Sequence, residues 1–403
     1  MRVLQVNKFF YRRGGAEVVF FDTINGLRER GHEVIEFSMQ GSRNLPSDYS
    51  AYFSPEIPEF TSKQSLGSDW VTFKNIFHSN AVENKLRTLI SATEPEVAHL
   101  HNVTRQLSAS IFFTLKKAGV PIVLTVHDVQ PMCPNHRMLR NHTVCEKCFK
   151  HKYYNCTRYN CINGSKAQSL AGSLEAYYYY LKGIWHFVDA FVCPSQFMLD
   201  KMVKWGFPAK KMHLVRNPYA VTAKDTTLGD KVVYMGRLHE EKGINIFLEA
   251  LKDLKNYQVI IAGTGPEEEN VEKFIRQNGL TNVLRVGWVG GEKWQAIMNE
   301  AKVIAVPSLF YENCSISILE ALGNGKLVVA SDRGGNNELI INNQTGFLAE
   351  PENPKSLAEA IRKAMQLRGP EAGKLIANAK NLLEQNHDPA GYCHALEEIY
   401  AAL

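Results

Sequence analysis

The carboxylates Glu312 and Glu320 are the side chains in this sequence with the clearest potential for chemistry. The apolar run Val303–Val306 predicts a buried parallel strand, and a helix is expected from about Ser315. Glu312 then lies in the loop at the carboxyl end of the strand, and Glu320 lies on the helix beside the sheet. Such an arrangement can hold a polyol phosphate, because the helix N-terminus attracts the phosphate and carboxylates accept hydrogen bonds from hydroxyl groups.

Two cations form a second candidate constellation. Arg237 and Lys242 are five residues apart, in a turn that ends at Gly243, where another helix is expected to begin. A guanidinium and an ammonium group at this spacing can both reach one diphosphate. On composition alone, exposed surface charge is the alternative explanation.

Two further positions lie where α/β proteins bind ligands. Gly14 and Gly15 precede a helix expected from Ala16, and glycine there permits positive φ and a close approach of backbone N–H groups to a ligand. His127, followed by Asp128, ends a predicted buried strand at its carboxyl end. Taken alone, the glycines are equally consistent with a plain turn, and the histidine with a structural role.

Length and composition indicate a globular protein of two domains. The chain has 403 residues, of which 45% are apolar and 22% charged, and no apolar segment reaches the roughly 20 residues of a membrane span. The opening M-R-V-L-Q-V-N-K-F-F predicts a first strand rather than a signal peptide, so a cytoplasmic location is expected.

Charge and aromatic content differ between the two halves of the chain. Residues 1–216 carry a balance of +10 and residues 217–403 one of −5. A basic, aromatic-rich first half favours anionic membrane lipid or a phosphorylated acceptor. No nucleic-acid-binding motif accompanies the charge, so nucleic acid is not an expected partner.

Strands and helices alternate along most of the chain, which predicts an α/β fold. Two segments interrupt this alternation. Residues 41–80 are polar and weakly patterned and are expected to form an excursion. Residues 130–165 form a Cys-rich insert that holds five of the eight cysteines, at positions 133, 145, 148, 156 and 161.

Several stretches together resemble the family 4 retaining glycosyltransferases, which have the GT-B fold. The stretch P-S-L-F-Y-E-N-C-S-I-S-I-L-E-A-L-G-N-G resembles their E-x7-E signature, with Glu312 and Glu320 as the two acids. G-R-L-H-E-E-K-G, at 236–243, resembles their diphosphate-binding G-R-L-x-x-x-K-G. The resemblance covers nearly the whole chain and is weakest over 41–80 and 130–165.

The resemblance implies two Rossmann-like domains that face each other across a cleft. Residues 1–217 would bind the acceptor and residues 218–385 the nucleotide sugar, while a C-terminal helix in 386–403 would return to the first domain. It also implies transfer of a sugar, with retention of anomeric configuration, to a glycan, lipid-linked or small-molecule acceptor. The chain contains no D-x-D metal motif, so no metal cofactor is expected and cations would take the place of a divalent metal.

The resemblance also assigns roles to individual residues. Arg237 and Lys242 would stabilise the departing diphosphate, Glu320 would bind the ribose, and His127 would contact hydroxyl groups of the donor sugar. Donor contacts would further come from Gly14 and Gly15 at the phosphate, Val289 at the nucleobase, and Glu312 with the backbone of Asn313, Cys314, Ser315 and Ile316 at the sugar. The family often has E-x-F-G after its loop glutamate, whereas this chain has Ser315 in place of the glycine, which leaves the donor open between UDP- and GDP-sugars.

Other protein classes fit the sequence less well. An NAD-dependent dehydrogenase would need G-x-G-x-x-G after the first strand, where this chain has N-K-F-F-Y-R-R-G-G. A sugar-nucleotide epimerase of the same fold and a non-catalytic sugar-nucleotide-binding partner in a glycan-assembly complex remain as alternatives.

Two additional contacts are expected of the first half of the chain. Lys8, Phe9, Phe10, Tyr11, Arg12 and Arg13 combine charge with aromatic surface and predict contact with an anionic membrane, although a solvated loop with core-directed aromatics fits equally. Cys145, Cys148, Cys156 and Cys161 include a C-x2-C pair, which is a common half-site for structural zinc, with disulfides or plain buried thiols as the alternatives.

Overall fold

The computed structural model describes residues 1–57, 75–221 and 227–403, and it divides the chain into two compact units. Unit 1 comprises Met1–Arg137, Glu146–Pro218 and Pro389–Leu403, and unit 2 comprises Met138–Cys145 and Tyr219–Asp388. Residues 58–74, the middle of the excursion predicted at 41–80, lie outside the described residues.

Unit 1 is built on a six-stranded parallel sheet. Its strands are β1 (Arg2–Val6), β2 (Glu33–Phe37), β3 (Val97–Leu100), β4 (Ile122–Thr125), β7 (Ala190–Cys193) and β8 (Met212–Leu214). The spatial order is β2-β1-β3-β4-β7-β8. The inner strands are buried along nearly their whole length, which explains why their sequences are apolar runs rather than alternating patterns.

Helices connect these strands, as parallel strands require. They are α1 (Gly15–Glu29), α2 (Asn80–Thr93), α3 (Ser110–Ala118), α4 (Tyr154–Arg158), α5 (Lys166–Leu181) and α6 (Gln196–Lys204). The helix expected from Ala16 begins one residue earlier, at Gly15. Helix α3 begins only at Ser110, because Arg105 and Ser108 before it adopt positive φ.

Unit 2 repeats the same architecture. Its sheet contains β9 (Lys231–Met235), β10 (Val259–Ala262), β11 (Val283–Val286), β12 (Ala301–Val306), β13 (Leu327–Ser331) and β14 (Phe347–Ala349), in the order β11-β10-β9-β12-β13-β14. The connecting helices are α7 (Ile244–Leu251), α8 (Glu268–Gln277), α9 (Glu292–Glu300), α10 (Ile316–Gly323), α11 (Asn336–Leu339), α12 (Pro354–Gln366) and α13 (Gly369–Asn386). Buried apolar side chains form a core on each face of the sheet.

The chain returns to unit 1 in its last helix, α14 (Pro389–Ala401). The hydroxyl groups of Thr23 on α1 and Tyr392 on α14 lie 2.8 Å apart and form a buried hydrogen bond. Gly26 allows this close packing, since a Cβ at that position would lie 2.5 Å from the Cys393 sulfur. The returning helix therefore begins at Pro389, three residues after the predicted boundary at 386.

The Cys-rich insert differs from its predicted assignment to the first domain. It contains a small antiparallel hairpin, β5 (Leu139–Arg140) and β6 (Thr143–Val144), which belongs to unit 2. Within that unit, Nδ1 of His142 lies 2.9 Å from Oε1 of Glu240. The sequence interval 130–165 is thus divided between the two units, because contact in space rather than chain order decides the assignment.

None of the helices in the described ranges is both long enough and apolar enough to cross a lipid bilayer.

Candidate donor site and its surroundings

The loops at the carboxyl edge of the second sheet carry most of the residues that the sequence singled out. They follow β9, β10, β12 and β13, and the carboxyl ends of parallel strands lie along one edge of a sheet. Backbone hydrogen bonds tie the loops together: Leu309 N–H donates to Glu241 O at 2.8 Å, and Gly335 N–H donates to Glu312 O at 2.7 Å. This edge is therefore a backbone framework that holds side chains in fixed positions.

Two glycines make this framework sterically feasible. Gly243 has φ +72°, and a Cβ there would lie 1.8 Å from the Pro307 carbonyl oxygen. Gly334 has φ +65°, and a Cβ there would lie 2.2 Å from the carbonyl oxygen of Glu312. Any other residue at either position would be strained in φ and would push the loops apart.

Lys242 and Glu312, predicted from separate motifs, form one ion pair. Lys242 Nζ donates to Glu312 Oε1 at 2.8 Å, and Ser308 Oγ donates to the same oxygen at 2.6 Å. The Glu312 side chain is 7% exposed and the Lys242 side chain 29%, so the carboxylate is shielded from water and the pair is stronger than a fully exposed one. The sequence did not indicate Ser308, whose only signal was its place at the end of the strand.

Arg237 is also held by a carboxylate, on Glu241 four residues later. Glu241 is buried, whereas the guanidinium side chain of Arg237 is about half exposed. Arg237 and Lys242 therefore lie in the same loop, each next to an anion. A diphosphate could take the place of these carboxylates, because it is also an anion that accepts hydrogen bonds from both cations.

The helix after the Glu312 loop begins where the sequence predicted. Ser315 is the N-cap of α10, and its side chain makes no capping hydrogen bond. Asn313 and Ser315 are buried, and Cys314 and Ile316 are partly buried. The first N–H groups of a helix have no partner within the helix, so this end can donate to an anion or a hydroxyl oxygen.

Glu320, on α10, has a carboxylate in a poorly solvated place. Burial raises the pKa of its carboxyl group from 4.5 to about 7. In the described part of the chain the carboxylate makes no hydrogen bond and no ion pair. A half-buried acid without a partner is unfavourable in the empty protein, and ligand hydroxyl groups that donate to it would relieve that cost.

The raised pKa of Glu320 predicts how the stability of the fold depends on pH. Between pH 4.5 and about 7 the folded protein holds a proton on Glu320 that the unfolded chain releases, so the group destabilises the fold progressively as pH rises. Glu320→Gln should therefore raise the free energy of unfolding by up to roughly 3 kcal/mol at about pH 8, and by almost nothing below about pH 5. Urea unfolding at both pH values measures this, with exposed Glu359→Gln as control. An equal effect at both pH values would contradict it.

Val289, predicted at the nucleobase, follows β11 at the same sheet edge. Gly263 N–H donates to Gly287 O at 2.9 Å, which joins the loops after β10 and β11. Val289 packs partly against the core, while the neighbouring Trp288 is largely exposed. The backbone of this loop is thus anchored on one side and open on the other.

In unit 1, His127 lies just after β4 and belongs to a buried chain of hydrogen bonds. His101 Nε2 lies 3.1 Å from Gln5 Oε1, an acceptor, so Nε2 carries the proton and donates. Burial lowers the pKa of His101 well below its usual value and that of His127 to about 4, so both rings are neutral near pH 7. Nδ1 of neutral His101 must then accept from His127 Nε2, at 2.8 Å.

The hydrogen bonds from His127 through His101 to Gln5 fix the tautomer of His127. With its proton on Nε2, His127 has a lone pair on Nδ1 that can accept a hydrogen bond from a ligand hydroxyl. Neither Gln5 nor His101 was singled out from the sequence, although the alternation in H-L-H placed the side chains of His99, on β3, and His101, just after it, on the same side.

We expect His101→Phe to lower turnover about tenfold, because His127 then loses its buried acceptor and populates both tautomers. The aromatic ring preserves the stacking of His101 on its neighbours. Nitrogen-15 NMR of the His127 ring should show the mixture directly. The matched control is His99→Phe, on the same strand, because His99 bonds to Thr125 and Tyr400 and not to His127. An unchanged His127 tautomer in His101→Phe would contradict the assignment.

Gly14 and Gly15 lie at the start of α1, as predicted, but not for the predicted conformational reason. Gly14 is the N-cap with φ −164°, an extended conformation that any residue adopts, and Gly15 is the first helical residue. Neither has positive φ. A Cβ on Gly14 would meet only the Glu17 carboxylate, at 3.7 Å, so the remaining reason for glycine is the space it leaves beside the helix N-terminus.

The cysteines of the insert are grouped differently from the prediction. The thiols of Cys148 and Cys133 form one hydrogen-bonded pair and those of Cys156 and Cys161 another, and these bonds together with burial raise the pKa of Cys148 and Cys156. Cys145 lies instead in the hairpin of unit 2, where its N–H donates to Met138 O. Cys133, not Cys145, is thus the neighbour of Cys148.

Across residues 1–57, 75–221 and 227–403, no group of three or more His, Cys, Asp and Glu side chains is positioned to hold a metal ion. Structural zinc in the insert therefore stays a prediction, and elemental analysis of protein purified without chelator is the measurement that decides it.

The fold resembles that of known proteins. Two α/β units, each built on a parallel sheet, and a last helix that belongs to the first unit are the architecture of the GT-B glycosyltransferases, and the structure of Anabaena HepE in complex with UDP and glucose has the same fold. Its TM-score is 0.71, with 18% identity and full coverage of both chains.

Two models of protein families match this sequence and show the family of the chain. A model of glycosyltransferase family 4 matches residues 13–222, just over half of the chain, and a model of the glycosyl transferases group 1 matches residues 226–382. The chain belongs to glycosyltransferase family 4.

Two curated relatives illustrate the range of the family. The chain is 31% identical over 139 residues to an alpha-D-kanosaminyltransferase of Streptomyces kanamyceticus, which covers 33% of this chain and 36% of that protein. It is 25% identical over 227 residues to a putative colanic acid biosynthesis glycosyltransferase of Escherichia coli, which covers 52% and 55%. The chain thus spans about a third to just over half of the length of these relatives.

Proposed function

We propose that this protein is a retaining glycosyltransferase that moves a sugar from a nucleoside diphosphate sugar to a glycan, lipid-linked or small-molecule acceptor. The observation that carries the proposal is the shielded Lys242–Glu312 pair at the carboxyl edge of the second sheet, beside the N-terminus of α10. Membership of family 4 and the fold shared with HepE, solved with UDP and glucose, support it.

In this proposal the diphosphate of the donor replaces the carboxylate partners of the two cations. Lys242 turns from Glu312 to the phosphate, and Arg237 from Glu241. Both side chains are already held in the loop, so little reorganisation is needed when charge grows on the departing diphosphate. The exchange also frees the Glu312 carboxylate to accept hydrogen bonds from sugar hydroxyl groups.

The remaining residues bind and orient the donor. Glu320 accepts hydrogen bonds from the ribose hydroxyl groups, and the backbone after Glu312 donates to the sugar. His127, with its lone pair on Nδ1, accepts from a sugar hydroxyl. The backbone at Val289 contacts the base, and the open α1 N-terminus at Gly14 and Gly15 leaves room for phosphate.

The proposed chemistry needs no covalent intermediate. The acceptor oxygen attacks the anomeric carbon on the face from which the diphosphate leaves, and a leaving phosphate oxygen takes the acceptor proton. The configuration is thereby retained, and the two cations balance the charge of the nucleoside diphosphate. A cytoplasmic location belongs to the same proposal and is tested by cell fractionation.

One experiment separates transfer from the alternatives. The protein is first screened by thermal shift against UDP-, GDP- and ADP-sugars, because a tight ligand raises the melting temperature by mass action. The donor that stabilises it is then incubated with and without candidate acceptors. A glycosyltransferase should form a product with the donor's anomeric configuration, read by proton NMR. An epimer formed from the donor alone would indicate an epimerase, and binding without any turnover would indicate a non-catalytic partner.

A further inference from the structure

The solvent face of α5 carries a line of exposed leucines. Leu170, Leu174 and Leu181 are 48%, 41% and 77% exposed, and their spacing of four and seven residues places them on one side of the helix. We call these three residues the α5 stripe. It runs for about 16 Å at 1.5 Å per residue.

The opposite side of α5 packs against the rest of unit 1. Tyr179 is buried and packs against Phe112 and Trp185, and Glu175 is buried beside Arg105. Among the described residues, the α5 stripe therefore takes no part in the packing of unit 1. Single exposed leucines are common on protein surfaces, but an aligned set of three is typical of a surface that contacts a partner.

Lysines flank the α5 stripe at both ends of the helix. Lys166 and Lys182 lie at the two ends of α5, and the neighbouring α4 begins at the exposed Tyr154, whose backbone N–H donates to the hydroxyl of Tyr177 on α5 at 3.3 Å. Between positions 147 and 188 the sequence has six cations, Lys147, Lys150, Lys152, Arg158, Lys166 and Lys182. Glu175, the acid within this interval, is buried, and the two acids that border it are both partnered: Glu146 pairs with Lys201, and Asp189 accepts from the backbone N–H of Ile122.

We propose that this face of unit 1 docks on the surface of a lipid bilayer that contains anionic phospholipid. The leucines of the α5 stripe would enter the boundary between headgroups and acyl chains, and the lysines around them would pair with lipid phosphates. The proposal is independent of the donor chemistry, since none of these residues belongs to the site described above.

Charge argues for lipid rather than a second copy of the chain. A two-fold interface through the α5 stripe would bring the same lysines of both copies together, and like charges repel. An anionic bilayer instead neutralises them.

The first loop, which the sequence predicted as the lipid surface, offers less exposed apolar area. Phe10 is 2% exposed and packs against Phe20, Phe21 and Phe53, and Arg12 forms an ion pair with Asp22. The structure thus supports the core-directed alternative for part of that loop. The α5 stripe is the stronger candidate.

Vesicle flotation tests the proposal with the full chain. Vesicles of phosphatidylcholine alone and with added phosphatidylglycerol are compared, at low and high salt. We expect binding to the anionic vesicles that weakens with salt, and a loss of about tenfold or more in the bound-to-free ratio when Leu170, Leu174 and Leu181 are all replaced by serine. Lys166→Glu with Lys182→Glu should produce a similar loss.

Matched controls separate this surface from nonspecific effects. Leu284→Ser changes a leucine that is 56% exposed in unit 2 and should leave flotation unchanged. Unchanged melting and nucleotide binding of the triple serine variant would show that it folds and that donor binding is unaffected. Flotation equal to wild type in that variant would overturn the proposal, as would no binding to either vesicle. So would loss of binding in Phe9→Ser alone, or a dimer by light scattering that the triple variant abolishes.

Discussion

Replacing Lys242 with alanine is expected to lower turnover by on the order of 100-fold or more. Lys242 contacts the loop that the proposal assigns to the sugar, because its Nζ lies 2.8 Å from Glu312 Oε1. In the proposed reaction it stabilises charge that appears on the diphosphate only as the glycosidic bond breaks. Steady-state kinetics with the donor identified by thermal shift provide the measurement, and kcat should carry most of the loss.

The structure also changes what this variant should do to stability. A diphosphate clamp alone would leave the melting temperature of the empty protein almost unchanged, but Lys242→Ala also leaves the buried Glu312 without its cation. We therefore expect a measurable loss of stability, and kinetics should be compared well below the melting temperature.

Lys252→Ala is the matched control for Lys242→Ala. Lys252 pairs with Glu249 at 2.8 Å at the other end of α7, where both side chains are exposed, and its loss should affect neither turnover nor stability appreciably. Turnover of Lys242→Ala within a few-fold of wild type would refute the clamp.

Replacing Glu312 and replacing Glu320 should affect the binding of different ligands. Glu320→Ala is expected to weaken binding of the free nucleoside diphosphate by about tenfold or more, because hydrogen bonds to a charged carboxylate are lost. Glu312→Ala should leave that binding unchanged or tighter, since Lys242 no longer has to exchange Glu312 for phosphate. Its damage should appear only with the intact sugar nucleotide. Isothermal titration calorimetry at about pH 8, where Glu320 is ionised, measures both ligands.

Charge-neutral variants sharpen this comparison. Glu312→Gln keeps the size of the side chain and an oxygen that can accept from Ser308. It therefore tests whether an effect of Glu312→Ala comes from misfolding of the loop rather than from loss of the carboxylate. Glu359→Ala, on the exposed side of α12, controls for a general loss of negative charge. Equal losses for both ligands in both glutamate variants would show that the ribose and sugar roles are not divided as proposed.

Much of the fold was predictable because its strands and helices are locally encoded. Strands buried on both faces appear as short apolar runs such as V-I-A-V and I-V-L-T, and helices between them show the 3.6-residue period. The positions of Glu312, Lys242 and His127 followed, because a residue just after a parallel strand lies at its carboxyl edge regardless of tertiary detail.

The partners of these residues were not predictable in the same way. Glu312 and Lys242 are 70 residues apart, and their contact depends on Gly243 and Gly334 letting two loops pack backbone to backbone. Likewise, the acceptor behind His127 is His101, which is held by Gln5 on a third strand. Sequence spacing contains no information on such contacts, because the strand order of the sheet sets them.

The sequence by itself therefore determined the α/β class and the residues at the carboxyl edges of the strands, since both depend on interactions within a few residues along the chain. Only the tertiary structure decided that Cys133 contacts Cys148, that the hairpin at 138–145 belongs to unit 2, and that the α5 stripe is exposed. Each of these depends on which distant segment covers a given surface. An apolar helix face looks the same in sequence whether the fold buries it or leaves it in water.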